Sequence, residues 1–254
     1  MKIKEILELL EQKVPLSLSH AAINALGAYD NSGFILDGGN EDTNSVVFAL
    51  DLTCGAVDLA VKNGANFIIT HHPAIYRPVK SVSGLYTKCI AAGISVYSTH
   101  LSLDTAHDGI EDGLARIIGA KNTEMLEQTT EGYGFGRYFE IESVSFKELI
   151  KKISEALKTQ KMMVFGDENR TINKVASFCG AGLDEGAIAR AKDAELLVSA
   201  DISHHVLLAA IDKDKCVLQL THYASEAFAM QAFCQKFCLE NNIKYDFYLD
   251  ERFL

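Results

Sequence analysis

Val46-Val47-Phe48-Ala49-Leu50-Asp51 and Phe67-Ile68-Ile69-Thr70 decide the fold, with Ala56 to Asn63 between them and Gly64 closing that middle stretch. The two flanks are short apolar runs, the pattern of strands buried on both faces. The middle has helical spacing, and a glycine just past its end is the usual left-handed stop. Strand, helix, strand in so short a span reads as a βαβ unit with parallel strands. Working outward, the rhythm repeats. Tyr86 to Ala92 reads as a helix closed by Gly93, Ile94 to Ser98 as a strand, and Ile110 to Ile118 as a helix ending at Gly119. Upstream, Ile3, Ile6, Leu7, Leu9 and Leu10 give Met1 to Gln12 helical spacing, with Pro15 beyond.

Downstream the rhythm breaks. Lys121 to Gly136 is polar and glycine-containing with no clear period, so a lobe boundary is placed there. Phe146 to Leu157 then predicts a helix. A second alternation follows, with strands at Val175–Phe178, Leu196–Ser199, Cys216–Leu220 and Tyr245–Leu249 and helices at Glu185–Ala191, Val206–Ile211 and Ala227–Leu239. The expectation is an α/β chain of two lobes, residues 1–125 and 126–254, with mostly parallel sheets covered on both faces.

Bulk properties narrow the function. With 254 residues, 48% apolar and 23% charged, the chain can bury a core without disulfides. No apolar stretch reaches the ~18 residues of a bilayer span, and the charged N-terminus has no signal-peptide core, so a cytoplasmic protein is expected. Lys plus Arg is 24 against 34 Asp plus Glu, a net charge of −10. Such a balance argues against nucleic-acid binding by phosphate neutralisation. The six cysteines form no Cys-x-x-Cys pair, so free thiols are expected.

Metal-type residues gather where strands end. His71 and His72 follow Phe67–Thr70, His100 and Asp104 follow Ile94–Ser98, and His222 follows Cys216–Leu220 with Glu226 beyond it. In open α/β sheets, ligands bind beyond the carboxyl ends of the strands. Imidazole with carboxylate suits zinc, iron, manganese or cobalt. His222 and Glu226 share a helix face if the helix begins by Thr221; if Ser225 is the N-cap, His222 approaches from a loop. His71, His72, Asp104, His222 and Glu226 are too many donors for one open tetrahedral zinc and suit two divalent ions. Each residue also has a plain reading. His71 and His72 could form a turn, Asp104 could cap a helix, and His222 with Glu226 could be a surface pair.

Weaker features remain. Cys179 to Gly186 could cradle a phosphate at a helix N-terminus, but its glycines do not fit the dinucleotide spacing. Asp184 and Glu185 would repel an anion, so a tight turn is favoured. His204 and His205, after Asp201, could face a substrate or pack at a helix start.

The same residues carry a resemblance. Thr70-His71-His72-Pro73, with Arg77-Pro78 behind, resembles I-x-H-H-P-x-x-F-x-x-x-K of the NIF-three-like family, often labelled GTP cyclohydrolase I type 2 homologues. His100 to Asp104 is similar to its H-T-N-L-D, Ser199 to His205 to T-G-D-x-x-H-H, Thr221 to Glu226 to G-H-Y-x-x-E, and Tyr29 to Gly33 to W-D-N-x-G. The resemblance implies two interlocked α/β lobes, the C-terminal segment packing back on the first. It also implies a dinuclear metal site liganded by His71, His72, Asp104, His222 and Glu226, and a hexamer. It marks this chain as a short form, Glu127 to Asn173 being too brief for an inserted domain. Leu101, Ser102 and Glu111 depart from the family's Thr, Asn and Asn, which bears on substrate orientation.

Two functions are then expected. One is a metal-dependent hydrolase acting on a small anionic substrate, with GTP, purine imidazole ring opening and formate release suggested by the family label. His100 would shuttle a proton or orient water. The other is a non-enzymatic metal-binding or metal-handling scaffold.

Overall fold

The computed structural model describes residues 1–27, 29–191 and 193–254. The chain forms two compact units, one of Met1–Ala106 with Met230–Asp250, the other of His107–Ala229 with Glu251–Leu254.

The first unit carries α1 (Ile3–Lys13), α2 (Leu16–Leu26), β1 (Gly33–Leu36), β2 (Val46–Ala49), α3 (Cys54–Asn63), β3 (Phe67–Thr70), α4 (Leu85–Ala91), β4 (Ser95–Ser98) and α5 (His100–Thr105). Its sheet has the order β1-β4-β3-β2-β11, where β11 is Tyr245–Tyr248. The pairings β4/β3, β3/β2 and β2/β11 are parallel and β1/β4 is antiparallel. Every residue of β2 and β3 is buried, which accounts for their unbroken apolar runs. The Thr53 hydroxyl accepts from the Ala56 amide to start α3, and Gly64, at φ +64°, ends it. Val47, Val57, Ala60, Ile68, Ile94 and Val96 pack into its core.

The second unit carries α6 (Ile110–Ile118), β5 (Glu124–Thr130), β6 (Tyr133–Ser145), α7 (Phe146–Ala156), β7 (Met162–Phe165), β8 (Thr171–Ser177), α8 (Glu185–Arg190), β9 (Leu196–Ala200), α9 (His204–Ile211), β10 (Cys216–Leu220) and the start of α10 (His222–Glu240). Its sheet order is β5-β6-β8-β9-β10-β7. Only β8/β9 and β9/β10 are parallel, so this sheet is more antiparallel than expected. Phe178, Leu183, Ile188, Leu197, Val206 and Val217 form its core.

Two expectations change. The stretch Lys121–Gly136, read as a break, holds most of the β5–β6 hairpin. β5 is a half-exposed edge strand, so its residues lack a clean apolar period. Gly134 lies so close to the Glu127 carbonyl that a Cβ would sit 1.9 Å from its oxygen, the close backbone approach that glycine marks in strands. The division between units falls at 106/107 rather than 125/126, because α6 packs on β6, α7 and β8.

None of the six cysteines is in a disulfide, and five of them are buried. Thiol titration of the denatured, unreduced protein is expected to count six; four or fewer would show a disulfide.

Candidate functional site

In the first unit, the ladder between β3 and its neighbours runs past the strand end and carries the histidines with it. The His71 amide donates to the Ala49 carbonyl at 3.1 Å and the His72 amide to Leu50 at 2.9 Å. The Thr99 amide donates to Thr70 at 2.9 Å and the His100 amide to His71 at 2.8 Å. The rings of His71, His72 and His100 therefore cluster, with centroids 5.0, 5.6 and 5.9 Å apart. His71 is wholly buried, and its Nε2 lies 3.3 Å from Oδ1 of Asp104, itself buried on α5.

Carboxylates hold the other two rings. His72 Nδ1 lies 2.7 Å from Asp51 Oδ1, and His100 Nδ1 lies 2.6 Å from Asp30 Oδ1. A carboxylate can only accept, so Nδ1 is the donor and, in the neutral ring, Nε2 keeps the lone pair. His100 holds this position at φ +26°, a sparsely populated conformation for a non-glycine residue. Tyr76 stands against the His100 ring at 6.1 Å and meets Tyr29 edge-on at 5.5 Å. The Arg77 guanidinium lies 5.6 and 5.7 Å from those two tyrosine rings.

Asp30 also takes hydrogen bonds from the Ser19 and Ser32 hydroxyls and the Asn31 amide. Burial would raise its pKa, but the bonds from His100, Ser19 and Ser32 and the His100 charge outweigh burial and hold it at about 2, below the ordinary 3.8. The stability this carries is fully present above pH 3.8 and is lost as the pH falls through the folded value. Acidification from about pH 4 to about pH 2 is expected to cost about 2 kcal/mol through this group. Unfolding of metal-free Asp30→Asn across that range checks this: its acid slope should be shallower than the parent's, and equal slopes would refute the linkage.

In the second unit, Thr221 settles the open question of where the last helix begins. Its hydroxyl accepts from the Ala224 amide at 3.1 Å, so α10 starts at His222. His222 and Glu226 then share one helix face, Nε2 to Oε1 at 3.2 Å. Asp201 follows β9 in a left-handed conformation at φ +47° and places Oδ2 2.6 Å from His222 Nδ1. Glu226 is buried. Gly180, at φ +49°, has no room for a side chain: a Cβ would lie 2.4 Å from Glu226 Oε1 and 3.1 Å from His222 Nε2.

The remaining sequence candidates fall as follows. Cys179 to Gly186 is a turn whose Asp184 caps α8 by accepting from the Ala187 amide at 2.6 Å, so it is built as a cap and not as a phosphate cradle. His204 and His205 are exposed at the start of α9. Glu111 is wholly buried; Oε1 accepts from the Gly136 amide at 3.1 Å and Oε2 from the Cys179 amide at 3.3 Å. Side chains of metal-ligand type are thus present in both units: His71, His72 and Asp104 in the first, Glu226 and Cys179 in the second. The carboxylates Asp30, Asp51 and Asp201 were not among the residues expected from sequence. Asp30 and Asp201 lie inside the motifs quoted above, which was the signal available for them.

Residues 1–250 match the family described as Duf34/NIF3 (NGG1p interacting factor 3). The chain belongs to the DUF34/NIF3 family. Among DUF34/NIF3 relatives, it is 28% identical to a GTP cyclohydrolase 1 type 2 homolog of Clostridium acetobutylicum, over 89% of this chain and 85% of the relative. It is 30% identical to the protein NIF3 homolog of Schizosaccharomyces pombe, over 82% of each. Reduced HcgD of Methanocaldococcus jannaschii superposes with a TM-score of 0.77 at 28% identity, over 97% of both chains. A hypothetical protein of Staphylococcus aureus shares the fold with a TM-score of 0.85 at 23% identity, over 98% of this chain and 97% of that one. The DUF34/NIF3 fold expected from the motifs therefore extends across the chain. Among the described residues, no helix is long and apolar enough to cross a membrane.

Proposed function

We propose that this DUF34/NIF3 protein is a metal-dependent hydrolase whose ligands to divalent ions are His71, His72 and Asp104 of the first unit and His222 and Glu226 of the second. The observation that carries the reading is the carboxylate behind each outer histidine, Asp51 behind His72 and Asp201 behind His222. Metal-ligating histidines characteristically donate their second ring nitrogen to such a group, which fixes the tautomer and raises the basicity of the ligating nitrogen. The donor set fits zinc, iron, manganese or cobalt, being imidazole and carboxylate throughout. Bound there, divalent ions supply Lewis acidity and make water nucleophilic near neutral pH.

The chain's own residues do the rest. His100, its Nδ1–H held by Asp30, accepts or returns a proton at Nε2. Arg77, braced on Tyr29 and Tyr76, offers a cation to an anionic substrate in a chain of net charge −10. A nucleotide is the favoured substrate class. GTP is first to try because relatives are named GTP cyclohydrolase 1 type 2 homologs, with opening of the purine imidazole ring and formate release as the reaction. The near-complete burial of His71, Asp104 and Glu226 favours a second reading, a metal-handling protein whose donors are shut from solvent.

The test joins elemental analysis to a turnover screen. Protein purified without chelator is expected to carry about two divalent ions per chain. Loaded with Mn²⁺ or Zn²⁺, it should release formate from GTP or hydrolyse another nucleotide or phosphoester. Full metal with no turnover across the screen would give the lead to the metal-handling reading. No metal would end both.

A further inference from the structure

We infer that Tyr29 and Tyr76 form a stacking face for the planar base of a nucleotide, with Arg77 holding its phosphate. The inference rests on the nucleotide reading above and assigns the residues that recognise the base. All three lie within the first unit.

The observation is a pair of aromatic rings that are exposed yet held in place. Tyr29 and Tyr76 are 43% and 42% exposed. Tyrosine hydroxyls take a protein partner chiefly when buried. Here the exposed Tyr76 donates its hydroxyl to the Tyr29 carbonyl at 3.0 Å, across 47 residues of sequence. The Asn31 side-chain amide donates to the Ile75 carbonyl at 2.6 Å, a second tie between the same two segments. Asp30, between Tyr29 and Asn31, is the carboxylate that holds His100. One short segment thus fixes both the aromatic pair and the proton-moving ring. On the other side, the Tyr86 hydroxyl donates to the Ala74 carbonyl at 3.0 Å. Pro73 and Pro78, two of the chain's three prolines, bracket Tyr76 and Arg77 and restrict their backbone. Ordering such a loop costs conformational entropy, and rings left half in water return little of it by burial. A ligand that finds the rings already set recovers that cost on binding.

The geometry points to a planar, anionic ligand. The two tyrosine rings meet edge-on, at 5.5 Å and 87°, so they turn a corner and both stay open to a third ring. A nucleobase presents a π-face to such a surface whatever its sequence of ring atoms. The Arg77 guanidinium, 5.6 and 5.7 Å from the two ring centroids, is a flat cation suited to phosphate. An apolar side chain of a partner protein would use the rings and waste the cation; inorganic phosphate would do the reverse. A nucleotide uses both, and on Tyr76 its base lies beside His100, whose ring stands 6.1 Å from that of Tyr76.

Calorimetric titration of the zinc-loaded full chain with GMP, guanosine and ribose 5-phosphate separates the two contacts. Tyr29→Leu and Tyr76→Leu should each weaken GMP and guanosine about tenfold, the loss of one stacking contact, and leave ribose 5-phosphate within about twofold. Arg77→Ala should weaken GMP and ribose 5-phosphate about tenfold and guanosine by less than about twofold. Tyr76→Phe keeps the ring without the hydroxyl tie, and should bind GMP far more nearly like the parent than Tyr76→Leu does. Ring currents give a reading that a mere loop tie would not move. The base protons of GMP should shift upfield in the NMR spectrum on binding the parent, and less so with Tyr76→Leu. Should the leucine variants fail to fold, the parent's shift decides, and unshifted base protons overturn the inference. Equal losses for all three probes in the leucine variants would make the tyrosines a structural tie alone and overturn it too. So would GMP binding that no variant changes. Full metal and turnover of another phosphoester, with no GMP bound, would overturn the stacking face and leave the hydrolase reading standing. GMP stacked as described on a protein without metal or turnover would support the face and end the hydrolase reading.

Discussion

Glu226→Ala is expected to leave the purified protein with little of its divalent metal, falling from about two ions per chain to below about one. Glu226 is a buried anionic donor, with Oε1 3.2 Å from His222 Nε2, and no neighbour on its helix turn can replace it. Removing it takes away both an oxygen ligand and a negative charge that offsets a dication. Glu226→Gln separates the two effects, since it keeps an oxygen on the same helix face without the charge, and should retain an intermediate content. Asp104→Ala should behave like Glu226→Ala, because Asp104 is the buried carboxylate beside His71 Nε2. A thermal measurement supports the elemental one. A metal bound to the folded state raises the melting temperature, so chelator should lower the parent's midpoint and leave that of Glu226→Ala unmoved. Full metal content in both alanine variants would discard the ligand assignment.

Glu111→Ala is expected to be the most destabilising single change in the second unit. Both of its oxygens accept backbone amides, from Gly136 and from Cys179, in a position closed to water. Each orphaned amide costs about 1–3 kcal/mol, and the lost side chain leaves a void. The total, roughly 3–6 kcal/mol, approaches the whole stability of many domains. For a chain of this size it corresponds to a melting temperature lowered by roughly 10 °C or more. Glu111→Gln should cost less but not nothing, since its NH₂ group turns one acceptor into a donor facing an amide N–H. Thermal unfolding of the metal-free proteins reads this, and an alanine variant within about 1 °C of the parent would refute the account.

What was legible in sequence follows from physical locality. β2 and β3 declare themselves because complete burial demands unbroken apolar runs. β5 does not, because an edge strand half in water need not alternate cleanly. α2 was not read because Leu16-Ser17-Leu18-Ser19-His20 mixes serine and histidine, weak helix formers, into an apolar period. At the site, His71, His72, His100 and His222 were visible because a donor placed just after a strand leaves a local mark. Their carboxylate partners were not. Asp51 lies 21 residues from His72, Asp201 21 from His222 and Asp30 70 from His100, so no spacing rule joins them. Glu111 departs from the family pattern at a position that bears on substrate in sequence; in the fold its carboxylate accepts from backbone, one amide lying 68 residues away.

The pairing of β11 with β2 fixes an order of events during synthesis. β1, β4, β3 and β2 leave the ribosome early, yet the neighbour that closes β2's outer edge is made last. Val46 waits for Tyr245, roughly two hundred residues later, which at ordinary elongation speeds is roughly 10–40 s. Through that interval the nascent chain exposes an unpaired edge of Val46-Val47-Phe48-Ala49, the adhesive kind that recruits chaperones or other copies. The first unit to be translated therefore gains its last strand only near the end of synthesis, and stalled or prematurely terminated chains should be found with holdases or in aggregates.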